Sequence, residues 1–128
     1  MITKLLHTRY RVNDLERTIR FYKDVLGLQE LRRSKNGRGS ELVFLKVPGS
    51  DELIEICHYP ASGPVQVQPD LTHLAFEVKD WDIFEAHLKK VCILVSDGPH
   101  RSSDGGVIAF IDAPEGYEIE LIQQPKGK

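Results

Sequence analysis

Long apolar runs are missing from this chain: none exceeds five residues, as at Val91 to Val95, against the roughly 20 that a helix needs to cross a bilayer. A membrane-spanning helix is therefore not expected. An excess of charge of either sign is missing too. With 17 Lys and Arg, 19 Asp and Glu and a formal net charge of -2, nothing favours the counterion-release binding that nucleic acids reward. The densest positive stretch, Arg32, Arg33, Lys35 and Arg38, is interrupted by neutral residues and reads as a solvated loop. Cysteine is scarce, with only Cys57 and Cys92, and Met1-Ile2-Thr3-Lys4-Leu5 carries no basic segment leading into a long apolar one. Free thiols packed as small hydrophobes, in a reducing cytoplasmic setting, are the expectation.

What is present is one globular domain's worth of ordinary composition, 128 residues of which 41% are hydrophobic, enough for one core rather than two independent ones. It is written as a repeat. HTRYRVNDLERTIRFYKDVLG, from His7, lies without a gap on HLAFEVKDWDIFEAHLKKVCI, from His73, so that Val12 meets Val78 and Asp14 meets Asp80. Each copy opens with a short alternating strand, passes an acidic cap and enters a helix. Asn13 or Asp14 caps the first, with Asn13 and Glu16 spaced as a capping box; Leu15, Ile19, Tyr22 and Leu26 form its apolar stripe and Gly27 stops it. Asp80 caps the second, whose Trp81, Phe84, Leu88 and Val91 read as core.

The repeat continues downstream, where ELIEICHYP aligns with YEIELIQQP and Glu55 meets Glu120. The offset between copies is 66 at the histidines and 65 at the glutamates, a one-residue drift of the kind loops absorb. Further strand-like stretches, Glu41 to Val47 and Val107 to Asp112, end in turn signals at Pro48-Gly49 and Pro114 to Gly116. Each half thus reads β, α, β, β, β, with residues 60–69 as the linker. A four-stranded sheet needs one apolar face covered, and each module's own helix serves.

Strand alternation sends Leu6, Thr8, Tyr10 and Val12 to one face and His7, Arg9 and Arg11 to the other; the second copy sets Leu74, Phe76 and Val78 against His73, Ala75 and Glu77. Glu55 and Glu120 stand mid-strand between apolar neighbours, where a carboxylate is costly without a positive partner. Two histidines and two glutamates at duplicated positions make a metal-ligand set, His7, Glu55, His73 and Glu120. That donor set suits zinc, nickel, cobalt or iron rather than calcium or magnesium, which prefer oxygen alone. His58, His87 and His100 share no such pattern and are set aside as surface or packing residues.

LLHTRYRVNDLERTIRFYKDVLGL, LIEI around Glu55, THLAFEV around His73 and IAFIDAPEGYEIELI, taken in that order, resemble the glyoxalase I (lactoylglutathione lyase) family of the vicinal oxygen chelate superfamily, especially its short bacterial members. The resemblance implies an α+β fold of two tandem βαβββ modules, about 1–60 and 70–128 of a single domain, forming an open mixed-sheet cup. It implies a homodimer in which His7 and Glu55 of one chain meet His73 and Glu120 of the other around a divalent ion, nickel or zinc, with cobalt also accommodated. The sequence itself leaves an intrachain cup equally open.

The activity implied is isomerisation of the hemithioacetal of methylglyoxal and glutathione to the thioester S-lactoylglutathione, by proton transfer through an enediolate. Glu120 is then the base, Glu55 its symmetry-related partner, and Arg11 receives a glutathione carboxylate, with Arg101 near the family's usual lysine. Two loops depart from the family: Cys57-His58-Tyr59-Pro60 stands where the short enzymes carry a glutathione-contacting asparagine, and the segment Gly98 to Ser102 slips in alignment. Other activities of the superfamily fit less well. An acyl-CoA epimerase usually has glutamine at Glu55; extradiol dioxygenases and thiol transferases use three protein ligands; and a drug-binding resistance protein needs none.

Overall fold

The first unit, Met1–Gln66, begins with β1, His7–Val12. Asp14, not Asn13, caps the helix that follows, its carboxylate accepting from the Arg17 amide at 3.0 Å. The expected capping box does not form. Asn13 exchanges two hydrogen bonds with the Val65 backbone, at 2.8 and 2.6 Å, and Glu16 turns to Arg33. Helix α1, Leu15–Arg20, runs into a π-helical turn, Phe21–Val25. Gly27, at φ +76°, takes the left-handed conformation that lets the chain leave. Then come β2, Gln29–Lys35, β3, Glu41–Lys46, and β4, Leu53–His58.

The sheet order is β1-β4-β3-β2, with β1 parallel to β4 and the other pairs antiparallel. Leu15, Ile19 and Tyr22 are buried together with Val43, Leu45, Ile54 and Ile56, the apolar stripe of the helix meeting the alternate residues of the central strands. The basic stretch is not a loop. Arg32, Arg33 and Lys35 belong to β2, and Arg33 grips Glu16 on α1 at 3.0 Å and Glu30 at 2.8 Å. Polar residues without periodicity hid an edge strand whose side chains find partners.

The second unit begins at Val67, and the computed structural model describes residues 1–126 of the chain. It comprises β5, His73–Glu77, α2, Trp81–Lys90, β6, Val95–Arg101, β7, Val107–Asp112, and β8, Glu118–Gln123, in sheet order β5-β8-β7-β6. Asp80 caps α2 through the Ile83 amide at 3.2 Å, and Gln123 accepts from the Trp81 amide at 2.7 Å, fastening the helix start to the sheet. Trp81 and Leu88 lie in a core with Val107, Ala109, Ile111, Ile119 and Leu121. The segment Gly98 to Ser102, expected to be a loop, is largely the end of β6, whose register shifts twice. Gly98 is at φ +93°, and a Cβ there would meet the Ile108 carbonyl oxygen at 2.9 Å, so the strand needs glycine at this place.

Both units are therefore βαβββ modules. Among the described residues no helix is long and apolar enough to cross a membrane.

Candidate metal centre

In each module one row of side chains crosses the helix-free face of the sheet. In the first, register aligns Arg32 on β2, Phe44 on β3, Glu55 on β4 and Arg9 on β1. In the second the row is Asp97, Phe110, Glu120 and Ala75. Residues opposite one another in a ladder share a face, so alternation puts His7 beside the first row and His73 beside the second.

The middle of the row is the same twice. The His7 Nε2 stands 3.8 Å from Glu55 Oε2, and His73 Nε2 stands 3.0 Å from Glu120 Oε1. A phenylalanine meets each imidazole edge to face, Phe44 with centroids 5.6 Å apart and Phe110 at 5.7 Å, both at 86°. These rings pack edge-on against the imidazoles, and sequence reasoning passed over them. The signal was available: Phe44 and Phe110 are 66 apart, the same offset as the histidines, which places the one-residue drift after β3 in the turn before the glutamate strand.

The flanks differ. Arg9 donates from Nε to Glu55 Oε1, so each carboxylate oxygen has its own neighbour, guanidinium on one side and imidazole on the other. That hydrogen bond holds the Arg9 guanidinium above its already high ordinary pKa, against the opposing effect of burial. Glu55 is 3% exposed, and burial of a carboxylate to this degree calls for such a partner. Ala75 can offer Glu120 nothing of the kind. Arg32 lies over the Phe44 ring, its guanidinium carbon 4.1 Å from the centroid.

Arg9 also lines a cavity of about 430 Å³ in the first module, with Arg11, Arg38, Ser40, Cys57 and Tyr59 on its walls. The Arg11 Nη1 donates to the Gly63 carbonyl, tying β1 to the segment after β4. Arg101, expected to bind substrate, lies at the end of β6. It pairs in register with Val107, on the face covered by α2, and its Nη2 reaches Asp82 of that helix at 2.8 Å. The sequence could not tell the face because a register shift precedes the residue. Of the histidines set aside, His100 pairs with Asp97 at 2.8 Å and His87 packs near Phe84 at 5.8 Å.

The four expected ligands thus come as two pairs, one per module; among the described residues no group of three or more His, Cys, Asp or Glu side chains gathers closely enough to hold a metal ion. Each pair suits a divalent ion in chemistry, and spacing can be checked against ordinary coordination. Two ligand atoms each about 2.1 Å from a zinc-like ion stand roughly 3.0 Å apart at right angles and 3.4 Å apart at the tetrahedral angle. The Glu120 pair falls within that range, and the Glu55 pair is a little wider.

Comparison with known proteins agrees with this fold. Residues 4–121 match the Glyoxalase/Bleomycin resistance protein/Dioxygenase superfamily. The chain is 31% identical to a lactoylglutathione lyase of Neisseria meningitidis, over 97% of this chain and 93% of that protein, and 32% identical to one of Escherichia coli O157:H7, over 94% and 93%. Among solved structures, the trypanothione-dependent glyoxalase I of Leishmania major matches with a TM-score of 0.78 at 29% identity, covering 95% of this chain and 87% of that one. With a model match across nearly its whole length and relatives above 30% identity, the chain belongs to the glyoxalase I (lactoylglutathione lyase) family of that superfamily.

Proposed function

We propose that this protein is a metal-dependent glyoxalase I-type isomerase, converting the hemithioacetal of methylglyoxal and a small thiol into the S-lactoyl thioester. The observation that carries the reading is the duplicated His, Glu and Phe constellation, His7, Glu55 and Phe44 in one module and His73, Glu120 and Phe110 in the other. Two such pairs complete a four-ligand set when the pair of one protomer meets the other module's pair from a second copy, in a homodimer.

The residues divide the labour as follows. The histidines and glutamates hold the ion, nickel or zinc by the donor set, with cobalt as a further fit; when bound it supplies Lewis-acid stabilisation of negative charge on substrate oxygen. Glu120 is the base. It takes the proton from the hemithioacetal carbon and returns it to the adjacent carbon, so that alcohol and carbonyl exchange places with no external redox partner. Glu120 lies opposite Ala75 and, among the described residues, has only His73 as an ionic partner, leaving its carboxylate able to move. Glu55 is tied to Arg9 and serves as its counterpart. Arg11, in the arginine-lined cavity, receives a carboxylate of the thiol. Two free cysteines, Cys57 and Cys92, suit a reducing, cytoplasmic compartment.

The test is metal analysis joined to an assay with methylglyoxal and glutathione, then with other acidic thiols. Metal-replete protein inactive with every thiol would remove the isomerase reading. In the same assay Glu120→Gln is expected to lower turnover by about 10²–10⁴-fold, the usual contribution of a positioned base, with the melting temperature kept. An unchanged rate would take the base away from Glu120.

A further inference from the structure

The two modules give their glutamates different company, and the difference is an experiment already built into the chain. Where an arginine stands opposite, at Arg9, the glutamate turns one oxygen to the guanidinium and the imidazole is left at 3.8 Å. Where the matching residue is Ala75, the glutamate closes on its imidazole at 3.0 Å. Glu55 is the more buried of the two, at 3% exposure against 17% for Glu120, while the Arg9 side chain is 55% exposed. A buried carboxylate cannot be left without positive charge, whereas a half-exposed guanidinium moves into water at little cost.

We propose that Arg9 is a resident counter-ion that competes with the divalent ion for Glu55: guanidinium neutralises the carboxylate while the centre is empty of metal, and the ion displaces it on loading. This rests on the metal reading above and adds a property to it. One of the four ligands is masked in the metal-free protein, and metal affinity is lower than the ligands alone would give. A cation that binds at Glu55 must break a charge-assisted hydrogen bond, and the displaced guanidinium remains on the wall of the cavity that Arg11 and Arg38 also line. Its positive charge then faces the space where an anionic ligand enters. The masking belongs to the first module alone, because the second has no residue at Ala75 able to do it.

The experiment titrates Zn²⁺ into metal-stripped, full-length protein against a competing fluorescent chelator, comparing wild type with Arg9→Met and Arg9→Gln. Both variants are expected to bind zinc roughly tenfold more tightly, the size of one charge-assisted hydrogen bond weakened by exposure. Zinc is also expected to raise their melting temperatures further than that of wild type, since only the metal restores a positive neighbour to Glu55. Two uncharged replacements, one apolar and one polar, guard against a folding defect in either. The mirror variant, Ala75→Arg, is expected to weaken zinc binding by a similar factor by placing a guanidinium opposite Glu120. Equal or weaker zinc affinity in both folded Arg9 variants would overturn the competition while leaving the metal centre in place. A wild-type protein that takes up no zinc, nickel or cobalt would overturn the metal reading and this inference together.

Discussion

The division of ligands into one pair per module allows the sharing of the centre between chains to be tested by complementation. His7→Ala removes the first module's imidazole and His73→Ala the second module's; each single variant therefore damages both centres of a homodimer. Coexpressed with different affinity tags, the two variants form a heterodimer that can be isolated. If each centre joins the His7–Glu55 pair of one chain to the His73–Glu120 pair of the other, one centre of that heterodimer loses both histidines and the other keeps all four ligands. The magnitude follows from counting centres, one of two staying intact because each histidine keeps to its own module's glutamate. The heterodimer is expected to show about half the wild-type rate per dimer and to bind one metal ion where wild type binds two. Both parents are expected to be inactive. A heterodimer as inactive as its parents, with normal dimerisation, would refute the sharing.

The phenylalanines give a second expectation: Phe110→Ala removes an aromatic contact worth about 0.5–1.5 kcal/mol that orients His73, and metal affinity measured by chelator competition is expected to fall by roughly three- to tenfold, with Phe44→Ala behaving alike. Unchanged affinity in both would show that the rings pack without positioning. The Arg33 cluster gives a third. Glu16 and Glu30 are held below their ordinary pKa of 4.5 chiefly by hydrogen bonds to Arg33, so their stabilisation is full above about pH 4.5 and fades as pH falls through the lowered values. Because Glu16 is 58% and Arg33 34% exposed, the network contributes about 1 kcal/mol or less; Arg33→Leu is expected to destabilise by that amount near pH 7 in urea titrations and to converge on wild type in acid. A gap that persists unchanged at low pH would refute the assignment.

The β-strand alternation around His7, His73, Glu55 and Glu120 made the architecture and the pairing of each histidine with a glutamate legible, because period-two patterning and internal duplication are local signals that survive without coordinates. Arg9 shows where such signals end. Alternation assigned it to the face of His7, yet its engagement of Glu55 depends on β1 running parallel to β4 with Arg9 opposite Glu55 rather than one residue away. Parallel register between strands 46 residues apart has no local code. The same limit explains Arg101, whose face is set by an irregular ladder at β6, and the edge strand β2, whose exposed charged residues carry no hydrophobic period.

Duplication then does more than reveal the fold, because it separates what the centre requires from what one half has added. Histidine, glutamate and the edge-on phenylalanine recur in both modules, the ring pairs at nearly the same geometry, as expected of parts that on the proposed reading bind the same ion. The residues beside them diverge in sign: Arg9, Arg11 and Arg32 on the first face, against Ala75, Glu77 and Asp97 at the matching places on the second. A row that holds metal needs no such asymmetry. The anionic thiol proposed above would use it, since its acidic end needs positive charge that the first face supplies and the second does not. On the proposed reading the chemistry therefore rests on what the modules share, and the choice of substrate on where they differ.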